Sequence, residues 1–334
     1  MVEEKPLITF ALFSYNQEKY VREAVAAALA QTYSPLQIIL SDDCSSDSTF
    51  TIMSQMAAEY QGPHQILLNR NEPNRGWAEH INYVMTLVKG DLIVVAAGDD
   101  ISLPERTESI THEWLTSGKS SKLIHSAYIE MDADGTSLQL KQSRNIDKFN
   151  NTRQCIIDGT NVIGATQAWS SELFSIFGPI RSDVIHEDCA MPLRAMLVGK
   201  VAYIEIPLIR YRINVGISSG FGRGGLYEEL YGTGAVAADR YHIDYLQKLQ
   251  DLKKINAIPA LVKACEKRLQ EQWLLKALGY KEDAPLRLFF RAIQRGAGLW
   301  AGANITTKYM FPRTTIFKRR LAIVVRKYLG LTRK

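Results

Sequence analysis

At 334 residues, 46% hydrophobic and 22% charged, the chain has the size and composition of a globular protein with a large core, which excludes disordered and fibrous classes. Its four cysteines, Cys44, Cys155, Cys189 and Cys265, are scattered with no CxxC and no Cys/His cluster; this argues for reduced thiols in a cytosolic compartment and against a disulfide framework or structural zinc. The net charge of +5 is uneven: residues 284–334 hold 12 Lys and Arg and no Asp or Glu, leaving 28 basic against 35 acidic residues elsewhere.

The chain opens on the acidic, polar Met1–Pro6, which does not read as a signal peptide, and it holds no run of about 18 apolar residues that would span a membrane. Leu7–Phe13 then reads as a buried strand that feeds the polar Ser14-Tyr15-Asn16. Val21, Ala24, Val25, Ala28 and Leu29 fall at helical spacing within Tyr20–Gln31. Strands follow over Leu36–Leu40, Gln65–Leu68 and Asp91–Ala97, with helices over Phe50–Tyr60 and Glu79–Leu87 between them. This alternation predicts an α/β fold with a mostly parallel sheet. Further on, Leu123–Met131 reads as a strand and Asn145–Gly159 as loop-rich; Ile185–Met196 enters a helix, and Val201–Ile206 and Leu208–Arg212 are extended. Gly216–Gly225 reads as a linker, Leu226–Leu278 as helical, and the last fifty residues as a basic tail.

In an open parallel sheet, ligands bind beyond the carboxyl ends of the strands. Three predicted strands end there in polar loops: Phe13-Ser14-Tyr15-Asn16, Ser41–Asp47 and Gly98-Asp99-Asp100. Ser46 or Asp47 is explained equally well as the start of the helix that follows. Asp99-Asp100 is different, because two adjacent carboxylates at the end of a buried strand repel each other unless a divalent cation compensates. His80 and His125 read as ordinary polar residues; His186 could touch a ligand, and Trp169 suits a sugar-stacking role or the core equally.

The order Ser14-Tyr15-Asn16, Gln31-Thr32-Tyr33, Asp42–Asp47, Asn74-Arg75-Gly76, Gly98-Asp99-Asp100 and Leu103-Pro104-Glu105-Arg106 resembles the GT-A glycosyltransferases of family 2. Gly164-Ala165-Thr166, Glu187-Asp188, Pro207-Leu208 and Tyr211-Arg212 extend the resemblance, which covers roughly residues 5–220. It implies a Rossmann-like GT-A sheet flanked by helices, with an α-helical C-terminal extension. It also implies inverting transfer of a sugar from a nucleoside-diphosphate donor, of UDP or dTDP type, with Mn²⁺ or Mg²⁺ as cofactor. On the same resemblance Phe13 and Tyr15 lie against the nucleobase, Asp43 accepts its N–H, and Arg75 sits near the diphosphate. Asp99 holds the ribose or the metal's water shell, Asp100 ligates the metal, Asp188 is the general base, and Glu187 joins the donor-binding residues.

Two departures stand out: the family's Asp-x-Asp-Asp is Ala97-Gly98-Asp99-Asp100, and a Tyr-Arg-x-His seen in some members is Tyr211-Arg212-Ile213-Asn214. Cys44 stands where the family commonly has Gly. The expected organisation is a GT-A domain over 1–222, a helical segment over 223–283 and a basic amphipathic tail over 284–334. In the tail, Leu286, Phe289, Phe290, Ile293, Ala297 and Trp300 form one helical face and Arg287, Arg291, Gln294 and Arg295 the other; Phe317–Tyr328 repeats the pattern. This predicts a peripheral protein on the cytoplasmic face of an anionic membrane; together with the resemblance it implies a glycan or polyprenyl-linked acceptor and a role in bacterial surface polysaccharide synthesis. Nucleic acid is not an expected partner, since the tail carries no RNA-binding signature. A sugar nucleotidyltransferase would need a Gly-rich basic loop right after the first strand, and a dehydrogenase a GxGxxG following a strand near the start; neither stands there. The missing first Asp leaves a non-catalytic nucleotide-sugar-binding assembly partner as the rival reading.

Overall fold

The computed structural model describes residues 4–142, 149, 151–159, 162–215 and 233–310. The chain divides into two compact units, one of residues 1–221 with 250–257, the other of residues 222–249 with 258–334.

The first unit is built on one sheet. Its apolar runs form β1 (Ile8–Ser14), β2 (Leu36–Asp42) and β4 (Leu92–Ala97), which are buried along nearly their whole length. A strand covered on both faces has no polar side to show, so these segments read as continuous apolar runs rather than alternating ones. β3 (Gln65–Arg70) lies outside β2 and is only partly covered. Helices α1 (Val21–Leu29), α2 (Thr49–Glu59) and α3 (Trp77–Met85) make the crossovers. In α1 the side chains of Val21, Ala24, Val25 and Ala28 recur every three to four residues and are all buried against Ile8, Phe10, Leu12 and Ile38.

Beyond β4 the sheet becomes mixed. The order is β3-β2-β1-β4-β8-β6-β9-β5, where β5 is Ile101–Ser102, β6 Ser121–Met131, β8 Ala168–Ser170 and β9 Lys200–Arg212. β1 pairs in parallel with β2 and β4; β8 runs antiparallel to β4 and β6; β6 and β9 are parallel again. β7 (Ser137–Lys141) hangs on β6. The two extended segments expected after residue 200 are the single strand β9, irregular in register against β6 where Ala127 meets Pro207. The remaining helices of this unit are α4 (Arg106–Thr116), α5 (Thr152–Asp158), α6 (Glu172–Phe177) and α7 (Glu187–Val198). α5 sits in the stretch expected to be loop-rich; the Asn151 side chain accepts from Gln154 N–H at 3.0 Å, capping a helix too short to show a period.

The stretch expected to be helical over Leu226–Leu278 holds α8 (Thr233–Lys254) and α9 (Pro259–Gly279), separated by a turn in which Asn256 has φ +51° and Pro259 starts the next helix. In the second unit α10 (Pro285–Gln294) and α11 (Leu299–Met310) pack with α9 around Leu274, Ala277, Leu278, Leu288, Ala292 and Ala297. The linker expected over Gly216–Gly225 and the amphipathic segment expected over Phe317–Tyr328 lie outside the described residues.

Candidate active site

The carboxyl ends of β1, β2 and β4 open into a cleft of about 690 Å³, lined among others by Phe13, Tyr15, Asp43, Trp77, Asp99, Asp100, Glu187 and Asp188. All of these belong to the first unit. The parallel register sets Phe13 beside Ser41 and Ala97, so three chain-distant loops leave the sheet at one level. Asp43 N–H to Ser14 O (3.0 Å) and Gly98 N–H to Phe13 O (2.9 Å) then tie those loops together.

The loop after β2 is held from below by Asp42, which is fully buried. It accepts from Ser45 N–H at 2.9 Å and from the Ser45 hydroxyl. Asp47 accepts from Thr49 N–H (2.9 Å) and Glu18 N–H (3.1 Å), so it fixes the start of α2 rather than facing the cleft. Burial raises its pKa, but these Thr49 and Glu18 bonds outweigh that and hold it low. Cys44 adopts φ +63°, a left-handed conformation that disfavours a side chain. That is a backbone reason for the glycine that the resemblance leads one to expect there.

Asp43 is buried and receives three N–H groups: Asn71 Nδ2 (2.8 Å) and Arg75 N (2.9 Å) on Oδ1, and Gly76 N (3.0 Å) on Oδ2. Its carboxylate therefore shapes the 71–76 loop as well as lining the cleft. Arg75 contributes its backbone there, not its side chain. The guanidinium lies 4.4 Å over the Tyr83 ring and lines a neighbouring groove with Glu79 and Asn82. The structure thus brings Phe13, Tyr15, Asp43, Asp99, Asp100, Glu187 and Asp188 together and leaves the Arg75 side chain apart.

Phe13 is buried, with its ring edge-on to Trp77 (5.4 Å) and His80 (5.2 Å), whereas Tyr15 is half exposed at the mouth. His80 hydrogen-bonds Ser41 Oγ at 2.6 Å, and burial pushes its pKa down to about 4, against the pull of Asp43. It is a neutral structural imidazole. His125 is buried too, held near pKa 4 by desolvation, and Trp169 is fully enclosed with Nε1–H on Gln167 at 2.7 Å; both are core residues.

Asp99 and Asp100 lie in the tight turn between β4 and β5. Asp100 is buried, and Oδ1 accepts from Arg212 N–H at 2.7 Å. Burial drives both carboxyls up and Asp99 drives Asp100 higher still; Arg212 opposes the rise in both. Arg212 is the residue the sequence reading underused. Its guanidinium donates to the carbonyls of Asp99 (2.9 Å) and Ala133 (2.8 Å) and to Glu23 Oε2 (2.7 Å), and it stacks over Tyr20. Among the described residues that line the cleft it is the sole Arg or Lys, and those bonds occupy it. Two oxygen donors repelling each other, with no uncommitted cationic side chain among the described lining residues, fit a hard divalent cation. Asn214, where some members of the family carry His, has φ +62° in the turn after β9.

Glu187 and Asp188 begin α7. Glu187 is buried and accepts from Trp77 Nε1–H; burial and then Asp188 push its pKa up to about 8. Gly164 is the reason it fits, since a Cβ there would stand 2.2 Å from Glu187 Oε1. Asp188 is partly exposed to the cleft. Burial thus favours the neutral form of Glu187 beside the more accessible Asp188.

The sheet thus brings two acidic pairs, Asp99-Asp100 and Glu187-Asp188, into one cleft at its carboxyl edge, where open α/β sheets bind ligands. The family model described as Glycosyl transferase family 2 matches residues 9–174, and the chain belongs to that family. EpsE of Bacillus subtilis (strain 168) is 35% identical over 103 residues, 31% of this chain and 36% of EpsE. The uncharacterized glycosyltransferase MJ1057 of Methanocaldococcus jannaschii is 26% identical over 138 residues, 41% of this chain and 46% of that one. The chain therefore spans well under two thirds of these curated relatives. Among solved structures, Staphylococcus aureus TarS 1-349 in complex with UDP-GlcNAc is similar in fold, with TM-score 0.56 and 15% identity over 92% of each chain. The mannosyltransferase PcManGT of Pyrobaculum calidifontis, in complex with GDP-Man and Mn²⁺, gives 0.52 and 16% over 97% of this chain and 81% of its own.

Proposed function

We propose that the cleft transfers a sugar, with inversion, from a nucleoside-diphosphate sugar to the hydroxyl of a glycan or polyprenyl-linked acceptor. The observation that carries this is the meeting of Asp43, Asp99-Asp100 and Glu187-Asp188 in one cleft from three separate parts of the chain. Donor complexes of the two structural neighbours, with UDP-GlcNAc and with GDP-Man, point to a nucleotide-sugar donor as a class. A UDP- or dTDP-type donor is favoured because Asp43 is an acceptor suited to a ring N–H.

In this reading the nucleobase lies against Phe13 and Tyr15. Asp99 and Asp100 hold Mn²⁺ or Mg²⁺, which when bound neutralises the charge of the leaving diphosphate. Asp188 takes the proton of the acceptor hydroxyl as its oxygen forms the new bond to the anomeric carbon. The bond from that carbon to the diphosphate breaks, and its electron pair leaves with the nucleoside diphosphate. Glu187, kept protonated by burial, adds no second negative charge beside the base. The setting that suits this chemistry is bacterial surface polysaccharide synthesis. Asp188→Asn tests the assignment: nucleoside-diphosphate release falls roughly 10²–10⁴-fold while calorimetric donor binding persists. Unchanged release in Asp188→Asn overturns the base, and no release by the unaltered protein with any nucleotide sugar favours the binding-partner reading.

A further inference from the structure

The second unit carries a surface that the sugar-transfer reading does not use. α10 has two apolar faces. Leu288 and Ala292 are buried in the core shared with α9 and α11, and Phe289 and Ile293 reach Gly302 on α11. The sequence expectation had set Phe289 and Ile293 on the outer stripe; the packing assigns them to the helix–helix seam. Leu286 and Phe290, one turn apart, face outward, 57% and 61% exposed. Leu299 and Trp300 open α11 just after α10 ends, 59% and 87% exposed. These are four of the five most exposed large apolar side chains among the described residues. Among the described residues the core around Leu274, Ala277, Leu278, Leu288 and Ala292 is built without them, and exposed apolar side chains of this size mark interaction surfaces.

The charge around them is mostly basic. Arg287 and Arg291 lie about 100° round the helix from Leu286 and Phe290. They share one carboxylate, Asp283, at 3.5 and 3.0 Å, which leaves one of their two charges over. Arg295 lies over the Trp273 ring and Lys308 follows on α11. From residue 311 to the end the sequence adds eight Lys and Arg and no acid. Among the described residues no helix is long and apolar enough to cross a membrane.

We propose that Leu286, Phe290, Leu299 and Trp300, rimmed by Arg287 and Arg291, lie in the plane of an anionic phospholipid bilayer. The apolar stripe needs an apolar phase, which nucleic acid does not offer. The rim needs negative charge, which a second copy of the same surface does not offer. The headgroup boundary of an anionic leaflet offers both, and an indole is well placed there.

The test uses the full chain in vesicle flotation, with phosphatidylcholine alone and with about 30 mol% phosphatidylglycerol. The protein is expected to float with the anionic vesicles, less so as salt rises, and weakly with neutral ones. Binding shifts tryptophan emission to the blue, and brominated lipid quenches it. Phe290→Ser with Trp300→Ser lowers partitioning at least roughly ten-fold and removes the quenching, with circular dichroism unchanged because both side chains are exposed. Arg287→Gln with Arg291→Gln weakens only the anionic-vesicle component. The inference falls if the unaltered chain does not float with anionic vesicles, or if the Phe290/Trp300 variant floats equally well. It falls too if the chain is held by RNA but not by vesicles, or if that variant alters only the oligomeric state in sedimentation. No readout involves turnover, so the result is separate from the sugar-transfer reading.

Discussion

At the scale of single residues, the acid beside the proposed base makes a measurable statement about stability. Glu187 is buried with a pKa pushed from 4.5 up to about 8, by desolvation first and Asp188 second. A carboxyl whose folded pKa is raised contributes its full stability below the unfolded value and loses it as pH rises towards the folded one. The window is therefore between about 4.5 and 8, and folding grows weaker with pH across it. Glu187→Gln keeps a neutral oxygen for Trp77 Nε1–H and removes the titration. Thermal melts should then show a variant that matches the natural chain near pH 5 and exceeds it near pH 8, by on the order of 3 kcal/mol at about 1.4 kcal/mol per unit. Parallel pH profiles for the two proteins would show that Glu187 is charged in the fold. Cys44, at φ +63°, gives a second case: Cys44→Gly relieves left-handed strain and should raise stability by roughly 0.5–1 kcal/mol in urea melts. A loss would mean that the thiol does more than fill space.

At the scale of elements, the 71–76 loop is built around a side chain it does not own. Asp43 collects two of its backbone N–H groups and the Asn71 amide, while Asn74 Nδ2 returns to Asp43 O at 2.7 Å. The next residue, Trp77, opens α3 and reaches Glu187, so one short loop connects Asp43 to the Glu187-Asp188 pair across the proposed donor site. Asp43→Ala takes the acceptor from Asn71 Nδ2 and Arg75 N–H, while Gly76 N–H keeps Asn74 Oδ1 at 3.0 Å; a loss of about 2–4 kcal/mol in urea unfolding is expected from the unmet hydrogen bonds. Asp43→Asn keeps one acceptor oxygen and should lose less, while donor affinity falls in both. The strands and helices around this loop were legible because apolar runs and the α1 spacing are local signals. So were the acids at the strand ends, since a polar cluster after a buried run is local too. Trp77, Arg106 and Arg212 were not, because their partners lie far along the chain: Glu187 for Trp77, Ala165 for Arg106, Glu23 and the 132–133 turn for Arg212. Arg75 misled for a related reason. A sequence displays side chains, and here the backbone N–H carries the contact.

At the scale of the whole molecule, the parallel half of the sheet follows from sequence alternation, but the mixed half does not. β8 is three residues long and β5 two, too short for any period, and their places depend on pairing with β4, β6 and β9. The division of the chain is equally hidden. Residues 250–257, the end of α8 and the turn after it, belong to the first unit although both flanking stretches belong to the second. One reason is a fully buried ion pair. Arg194 on α7 donates to both oxygens of Asp251 at 2.8 and 2.9 Å, and to Gly178 O at 2.9 Å. Its guanidinium also lies against the rings of Phe174 and Phe177. Buried pairs of this kind gain little over an apolar replacement, yet removing one partner leaves a desolvated charge. Arg194→Met should therefore cost about 3–5 kcal/mol in the unfolding of the first unit, and Arg194→Met with Asp251→Leu should recover most of it. Limited proteolysis followed by mass spectrometry would locate the effect: the single variant should expose cleavage sites near residue 250, and the double variant should close them. If both variants lose stability equally, the pair is held by hydrogen bonds to the carbonyls rather than by charge balance. The attachment of this segment would then rest on Arg194 as a five-donor bridge and not on its ion pair.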